Sequence, residues 1–287
     1  MTTIKRCIKM GSFLTLVFLF VGVIPLFAQS EQKPVIGILG AFPAEIKIIK
    51  KKISGVATKI MGINFIKGEF AGRQIVLAFT GIGKVNAAMT TTLLLDHFKP
   101  EKVIFTGVAG GINPNLSPGD IVIAEKLAQH DLGEITSKGF KIQSYNNPVT
   151  GKKNPIFFAS EASLVKLAQQ VAEKIKFTVP IGTKDRKVKV IKGIVVTGDV
   201  FVSSKKKTAS LVKEFNADAV EMEGAAVAQV CFQQGVPFVV LRSISDNADH
   251  SANFNYEQFY EAAAKNSAAL TMALIKELPN KSSQIQK

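Results

Sequence analysis

The sequence predicts an α/β protein, one domain with a mixed, mainly parallel central sheet flanked by helices. Two observations predict it. After residue 34, short β-branched apolar runs alternate with stretches of helical spacing, and such alternation implies a parallel sheet covered on both faces. One pair of apolar runs is separated only by Arg73 and the dipeptide Ala71-Gly72, a hairpin signal that makes the sheet mixed. No internal repeat, low-complexity tract or linker interrupts the chain, so residues 34–279 read as a single domain.

The elements follow in order. Val35–Ala41 is a short continuous apolar strand, and Ala44–Ile53 has helical spacing with Ile46, Ile49 and Ile53 on one face. Phe65–Phe70 and Gln74–Thr80 are the two strands of the hairpin. Lys84–Phe98 reads as a helix stopped by Lys99-Pro100. Strands are expected at Lys102–Thr106, Asp120–Ala124, Val188–Thr197, Ala219–Met222 and Phe238–Ser243. Helices are expected at Glu161–Phe177, Lys205–Phe215, Gly224–Gln234 and Tyr256–Leu278. Residues 137–157, rich in Ser, Asn, Pro, Gly and Lys, read as one long loop, a length usually reserved for function or mobility.

The first residues are of another kind. Lys5, Arg6 and Lys9 precede the apolar run Phe13–Phe27, which ends in Ala28-Gln29-Ser30. A basic start, an apolar middle and a small residue at its end describe a signal peptide over residues 1–28, removed on export to the periplasm or medium. The run is also close to the lower limit for crossing a bilayer, so an uncleaved anchor is the alternative. No Cys follows it, which excludes a lipoprotein anchor there. Cys231 is then left without an intramolecular partner and reads as a buried apolar side chain.

Residues 1–28 carry three basic residues and no acids, so the mature chain keeps +11 of the full +14 charge. That excess suits an anionic surface or a sulfated polysaccharide as partner. The lysines are scattered, at 50–52, 152–153 and 205–207, with few aromatics between them. A solubilising basic surface is therefore the plainer reading, and no nucleic-acid partner is expected. His97, His130 and His250 have no metal-ligand spacing, and neither HExxH nor GxSxG occurs. No metal and no cofactor are expected.

In open α/β sheets ligands bind beyond the carboxyl ends of the strands. Those ends carry Ala41-Phe42-Pro43-Ala44-Glu45, Gly81-Ile82-Gly83-Lys84, Thr106–Gly111, Thr197-Gly198-Asp199-Val200-Phe201, Glu221-Met222-Glu223-Gly224 and Arg242–Asp246. Each has a plain explanation. Gly81-Ile82-Gly83 reads as a tight turn into a helix. Thr106–Gly111 reads as a turn needing positive φ, or as a place where a ligand approaches the backbone. Glu45 reads as a solvated first-turn acid favoured by the helix dipole, and Asp246 as a cap. Glu221 and Glu223 resist such readings, because carboxylates between apolar stretches are costly unless paired or used.

These segments, in this order, resemble the 5′-methylthioadenosine/S-adenosylhomocysteine nucleosidases of the nucleoside phosphorylase superfamily. The matching stretches are IGILGAFPAEI (36–46), TGIGKVNAA (80–88), TGVAGGI (106–112), GDIVIAE (119–125), QHD (129–131), TGDVFV (197–202), VEMEGAAVAQVC (220–231) and PFVVLRSISDNAD (237–249). The pairing of VEMEGAAVA with RSISD about twenty residues later is the specific part. The resemblance implies an enzyme that hydrolyses an N-glycosidic bond and releases adenine. It implies Glu45 as the base that positions water and Asp246 as the acid that protonates adenine at N7. Glu223 would hold the ribose hydroxyls, with Met222 packed on the sugar. Phe201 would stack on adenine, and the Val202 backbone would read its edge. Arg242 would lie near water and ribose, Ser245 would orient the acid, and Val108, Ala109 and Gly110 would run beside base and sugar. Ile82 and Glu221 complete the implied substrate-binding set. The resemblance further implies a homodimer acting on small adenine nucleosides. Phe42-Pro43-Ala44 and Val108 depart from the residues usual in the family.

Breaking this bond builds positive charge on the sugar and negative charge on the base, which calls for the two-carboxylate chemistry of inverting glycosidases. A free Asp ionises near ~3.9, so Asp246 needs a site that raises it or a proton relay. Two other readings stay open at this level. One is a phosphate-dependent phosphorylase on the same fold; Glu45 opposes it, because a carboxylate near the sugar carbon repels phosphate. The other is an exported basic polysaccharide-binding protein, an adhesin on the same scaffold.

Overall fold

A computed structural model describes residues 34–180, 186–249 and 252–279, apart from the side chains of 253–255. The expected signal peptide, residues 1–28, lies outside the described residues. Twelve strands and six helices follow one another as β1 (Val35–Gly40), α1 (Pro43–Lys50), β2 (Ser54–Ile60), β3 (Ile63–Phe70), β4 (Arg73–Phe79), α2 (Lys84–Phe98), β5 (Lys102–Gly111), β6 (Ile121–Gln129), β7 (Gly133–Thr136), β8 (Gly139–Ile142), β9 (Phe157–Ala159), α3 (Ala162–Ala172), β10 (Val190–Thr197), α4 (Lys205–Phe215), β11 (Ala219–Glu221), α5 (Gly224–Gln233), β12 (Phe238–Asp246) and α6 (Ala252–Glu277). Among the described helices none is long and apolar enough to cross a membrane.

Ten strands form one mixed sheet in the order β11-β10-β6-β12-β5-β1-β4-β3-β2, with β9 beside β6. β11 also pairs antiparallel with the end of β5 through Ala219–Gly111 and Val220–Gly110, closing one half of the sheet on itself. The period of two sorts the side chains. Ile36, Ile38, Ile75 and Leu77 face α1, α3 and α6, while Leu39, Val76 and Ala78 face α2 and α5. Both faces are thus dry, as the continuous apolar runs require.

Four expectations change. The long loop at 137–157 is instead the end of a hairpin, β7–β8, followed by an Asn146–Lys153 bridge and by β9. β2 was not foreseen; nearly all of it is exposed, so no apolar alternation marks it. β6 continues to Gln129, well beyond Ala124. The run Thr106–Gly111 is not a positive-φ turn: Gly107, Gly110 and Gly111 lie inside β5 and all the positive-φ glycines lie elsewhere. They are glycine because neighbours press on the backbone. A β-carbon at Gly107 would overlap Arg242 Nη1, and one at Gly110 would stand 2.9 Å from Asp246 Oδ1. Gly81 and Gly83, by contrast, do take positive φ, 78° and 95°, in the turn that opens α2.

Candidate active site

At the carboxyl ends of the strands lies a cavity of about 430 Å³. Of the thirteen residues expected at the site, eleven line it, and Glu45 and Arg242 stand directly behind its wall. Phe42, Val200, Val220 and Tyr256 line it as well and were not anticipated.

Glu45 is the third residue of α1, behind Pro43, and folds back onto the start of its own helix. Its Oε2 accepts the N–H groups of Ala41 at 2.9 Å and Phe42 at 3.0 Å, and Oε1 accepts Val108 N–H at 3.1 Å. It is 1% exposed, so the solvated first-turn reading is overturned. Burial pushes its carboxyl up to about 7, against the opposing pull of Arg242 and the three backbone donors. That value is near the working range of a general base at neutral pH.

Glu221 and Glu223 part ways although only Met222 separates them. Glu221 ends β11 and points back into the protein. Its oxygens accept the Thr197 hydroxyl, Glu223 N–H, Gly224 N–H and the Arg242 guanidinium. Both oxygens are thus engaged by the protein, and its part at the cavity is to hold Arg242 and the Glu223 backbone. Glu223 is the less engaged of the two: Oε1 accepts Gly83 N–H at 2.9 Å, and Oε2 faces Arg242 at 3.7 Å. Burial and then the Glu221 charge hold its carboxyl well above the usual range. Arg242 is 1% exposed, lies 4.1 Å over the Phe105 ring and depends on Glu221 to be tolerated there.

Asp246 reaches the cavity through an irregularity. β12 pairs with β5 as Ile244–Ala109 and then Asp246–Gly110, leaving Ser245 as the extra residue. Such a bulge re-aims side chains, and here Ser245 and Asp246 both line the cavity. The Ser245 hydroxyl donates to Asp246 Oδ2 and Ala248 N–H donates to Oδ1, each at 2.8 Å. Burial raises the Asp246 carboxyl, and these two donors restrain the rise.

One wall is aromatic. Phe201 meets Tyr256 edge-on at 6.2 Å, Tyr256 stacks on Tyr260 at 5.1 Å, and Phe42 packs against both tyrosines. The Tyr256 phenol is pushed up by burial, then by the charges of Glu45, Asp246 and Glu223, and its ring lines the cavity together with Glu223 and Asp246. A tyrosine in the second turn of a helix gives no local signal of this, since only the packing of α6 brings it to the cavity. Among the described residues no three His, Cys, Asp or Glu side chains group as metal ligands.

An apolar cavity with one aromatic wall, lined by Glu221, Glu223 and Asp246 with Glu45 behind it, suits a flat base joined to a polar ring. The sequence profile of the Phosphorylase superfamily matches residues 35–276, and the chain belongs to that superfamily. Within it, a 5′-methylthioadenosine/S-adenosylhomocysteine nucleosidase of Exiguobacterium sp. is 39% identical over 245 residues, covering 85% of this chain and 98% of its own. The nucleosidase of Neisseria meningitidis, solved with methylthio-immucillin-A, superposes with a TM-score of 0.75 at 35% identity, over 85% of this chain and 99% of that one. The futalosine hydrolase of Helicobacter pylori superposes with a TM-score of 0.74 at 37% identity, over 87% of this chain and 100% of that one.

Proposed function

We propose that the protein is a hydrolytic adenine nucleosidase, which cleaves the N-glycosidic bond of 5′-methylthioadenosine or S-adenosylhomocysteine to adenine and a 5-thio-substituted ribose. The observation that carries this reading is a cavity lined by Glu223 and Asp246, with Glu45 bonded to the Val108 N–H in its wall. The nucleosidases among its relatives support the substrate class.

The chemistry assigns each group a task. Glu45, held by three backbone donors, takes a proton from water as it attacks the anomeric carbon. Glu223 accepts hydrogen bonds from the ribose hydroxyls and fixes the ring, with Met222 against the sugar. Asp246 gives its proton to N7 of the departing base, with Ser245 fixing its orientation. Phe201 stacks on adenine, and the Val202 backbone reads its edge. Ile82, Val108, Ala109 and Gly110 shape the walls. Arg242 offsets part of the negative charge of Glu221 and Glu223.

Phosphorolysis is disfavoured electrostatically. Among the described residues no Lys or Arg lines the cavity, and Arg242 behind it is already engaged by Glu221. Purified protein given methylthioadenosine should release adenine and free 5-methylthioribose at equal rates with and without phosphate. Strict phosphate dependence, with a sugar 1-phosphate as product, would overturn the reading. Futalosine belongs in the same assay, because its hydrolase from Helicobacter pylori is as similar in fold as the nucleosidases.

The homodimer belongs to the same proposal. Exposed Val85 and Met89 on α2 and Ile135 on β7 are the apolar side chains that a second copy would cover. We also propose export, supported by the basic start and apolar run of residues 1–28; cell fractionation that left the protein in the cytoplasm would refute it. The +11 charge of the mature chain supports contact with an anionic surface or sulfated polysaccharide, tested by salt-dependent retention on heparin.

A further inference from the structure

Three motifs have no task in the chemistry above: Lys84 at the start of α2, the Gln129-His130-Asp131 stretch at the end of β6, and Asp199 after β10. The fold ties them into a ring. Lys84 Nζ donates to Asp131 Oδ1 at 2.6 Å and to Gln129 Oε1 at 3.1 Å. Asp131 Oδ2 accepts Asp199 N–H at 2.8 Å. Asp199 Oδ1 in turn accepts the backbone N–H of Lys84 at 2.7 Å. The ring closes on the residue from which it began.

The ring adjoins two parts of the cavity lining. The peptide before Lys84 ends in Gly83, whose N–H donates to Glu223 Oε1 at 2.9 Å. The residues after Asp199 are Val200, Phe201 and Val202, which line the cavity. The space for the ring is set by glycine. A β-carbon at Gly83 would come within 3.1 Å of Asp199 Oδ1, and one at Gly198 would overlap the His130 imidazole and lie 3.1 Å from Asp131 Cγ. His130 itself is buried with neither ring nitrogen bonded, so it contributes packing and not a link.

We propose that Asp131 is a positioning residue that acts through Lys84 and Asp199 to set Glu223, and that the ring fixes the distance between the carboxylate end and the aromatic end of the cavity. The inference rests on the assignment of Glu223 to the ribose. Arg242 holds one oxygen of Glu223, but the N–H that holds the other is carried on a turn of two positive-φ glycines, and the ring steadies that turn from the ends of β6 and β10. Burial alone would raise the Asp131 carboxyl, but the hydrogen bonds from Lys84 and Asp199 hold it below the ordinary range, so Asp131 stays charged throughout the neutral range.

A double-mutant cycle tests this. The kcat and KM of the full chain on methylthioadenosine are measured for wild type, Asp131→Asn, Glu223→Gln and the double variant. Asp131→Asn should lower kcat/KM about tenfold, mainly through KM, yet by less than about twofold in the Glu223→Gln background, because coupled residues are non-additive. Equal losses in both backgrounds would overturn the proposal while leaving the Glu223 assignment intact. A neutral Glu223→Gln would overturn both. Lys84 guards against misfolding of the first variant: Lys84→Met should match the loss in Asp131→Asn, and Lys84→Arg, which keeps the ion pair, should restore most of it. Failure of arginine to do better than methionine would also count against the ring.

Discussion

Asp246→Asn isolates the proton from everything else the side chain does. In the wild type Oδ1 accepts Ala248 N–H and Oδ2 accepts the Ser245 hydroxyl, each at 2.8 Å. An asparagine in the same rotamer keeps its carbonyl toward Ala248. Its NH2 then faces Ser245 Oγ, which turns from donor to acceptor and sends its own proton toward Ala109 O, 3.3 Å away. No buried polar atom is orphaned, so stability should change by no more than about 1 kcal/mol. The amide has no proton to give to N7. General acid catalysis contributes about 10²–10⁴-fold, or about 2.7–5.4 kcal/mol of barrier at ~1.36 kcal/mol per tenfold. The assay follows adenine release from methylthioadenosine, with adenine binding and thermal melting as controls; binding and melting should stay close to wild type while turnover collapses. A nitrophenyl riboside with the same 5′ group leaves without a proton, and should partly rescue Asp246→Asn but not Glu45→Gln. Turnover of methylthioadenosine within about threefold of wild type, far less than an acid supplies, would refute the assignment.

Four further outcomes follow from the geometry. The Glu45 carboxyl is raised by burial from its ordinary 4.5 to about 7, so kcat/KM should rise with pH through about 7 as the base ionises, and Glu45→Gln should remove both that limb and about 10²–10⁴ of the rate. The same shift means the folded state binds the proton more tightly than the unfolded one. Stability should therefore fall as pH rises between the two values, by on the order of 3 kcal/mol, and urea titrations of Glu45→Gln should lack that slope. Gly107→Ala would drive a methyl into Arg242 Nη1 and to 3.0 Å from Glu45 Oε1; kcat/KM should drop about 100-fold, the scale of a misplaced catalytic group, and an unchanged value would show that Arg242 is free to move. Phe201→Ala should raise KM for adenine nucleosides by the loss of about 1–3 kcal/mol of stacking, with little change for a substrate whose leaving group is not a flat base.

Much of this protein was legible locally. A strand buried on both faces is a run of Val, Ile and Leu wherever it lies, and a helix of one apolar face keeps its spacing, so α2 and α4 have the predicted bounds. The residues beyond those strands were legible too, because ligand sites of such sheets collect there. Glu223 and Glu221 stood out as acids in apolar surroundings, but their neighbours could not say which served the cavity. That was decided by Arg242, which lies 21 positions away in sequence and claims Glu221. The bulge at Ser245 was equally silent, since it exists only in the register between β12 and β5.

What the sequence by itself determined is the helices, the strands of the sheet's centre with their order along the chain, the dry two-faced sheet and the set of acids at its edge. These depend on side-chain type and spacing, which every local segment carries with it. What only the tertiary structure decided is which groups meet: Tyr256 with Phe42 and Phe201, Lys84 with Asp131 and Asp199, and Gly107 beneath Arg242. Those meetings depend on strand register and helix packing between segments far apart in the chain. A hydrogen bond of about 3 Å fixes a position far more finely than any pattern of apolar residues does, and so the chemistry's geometry becomes visible only once the sheet is assembled.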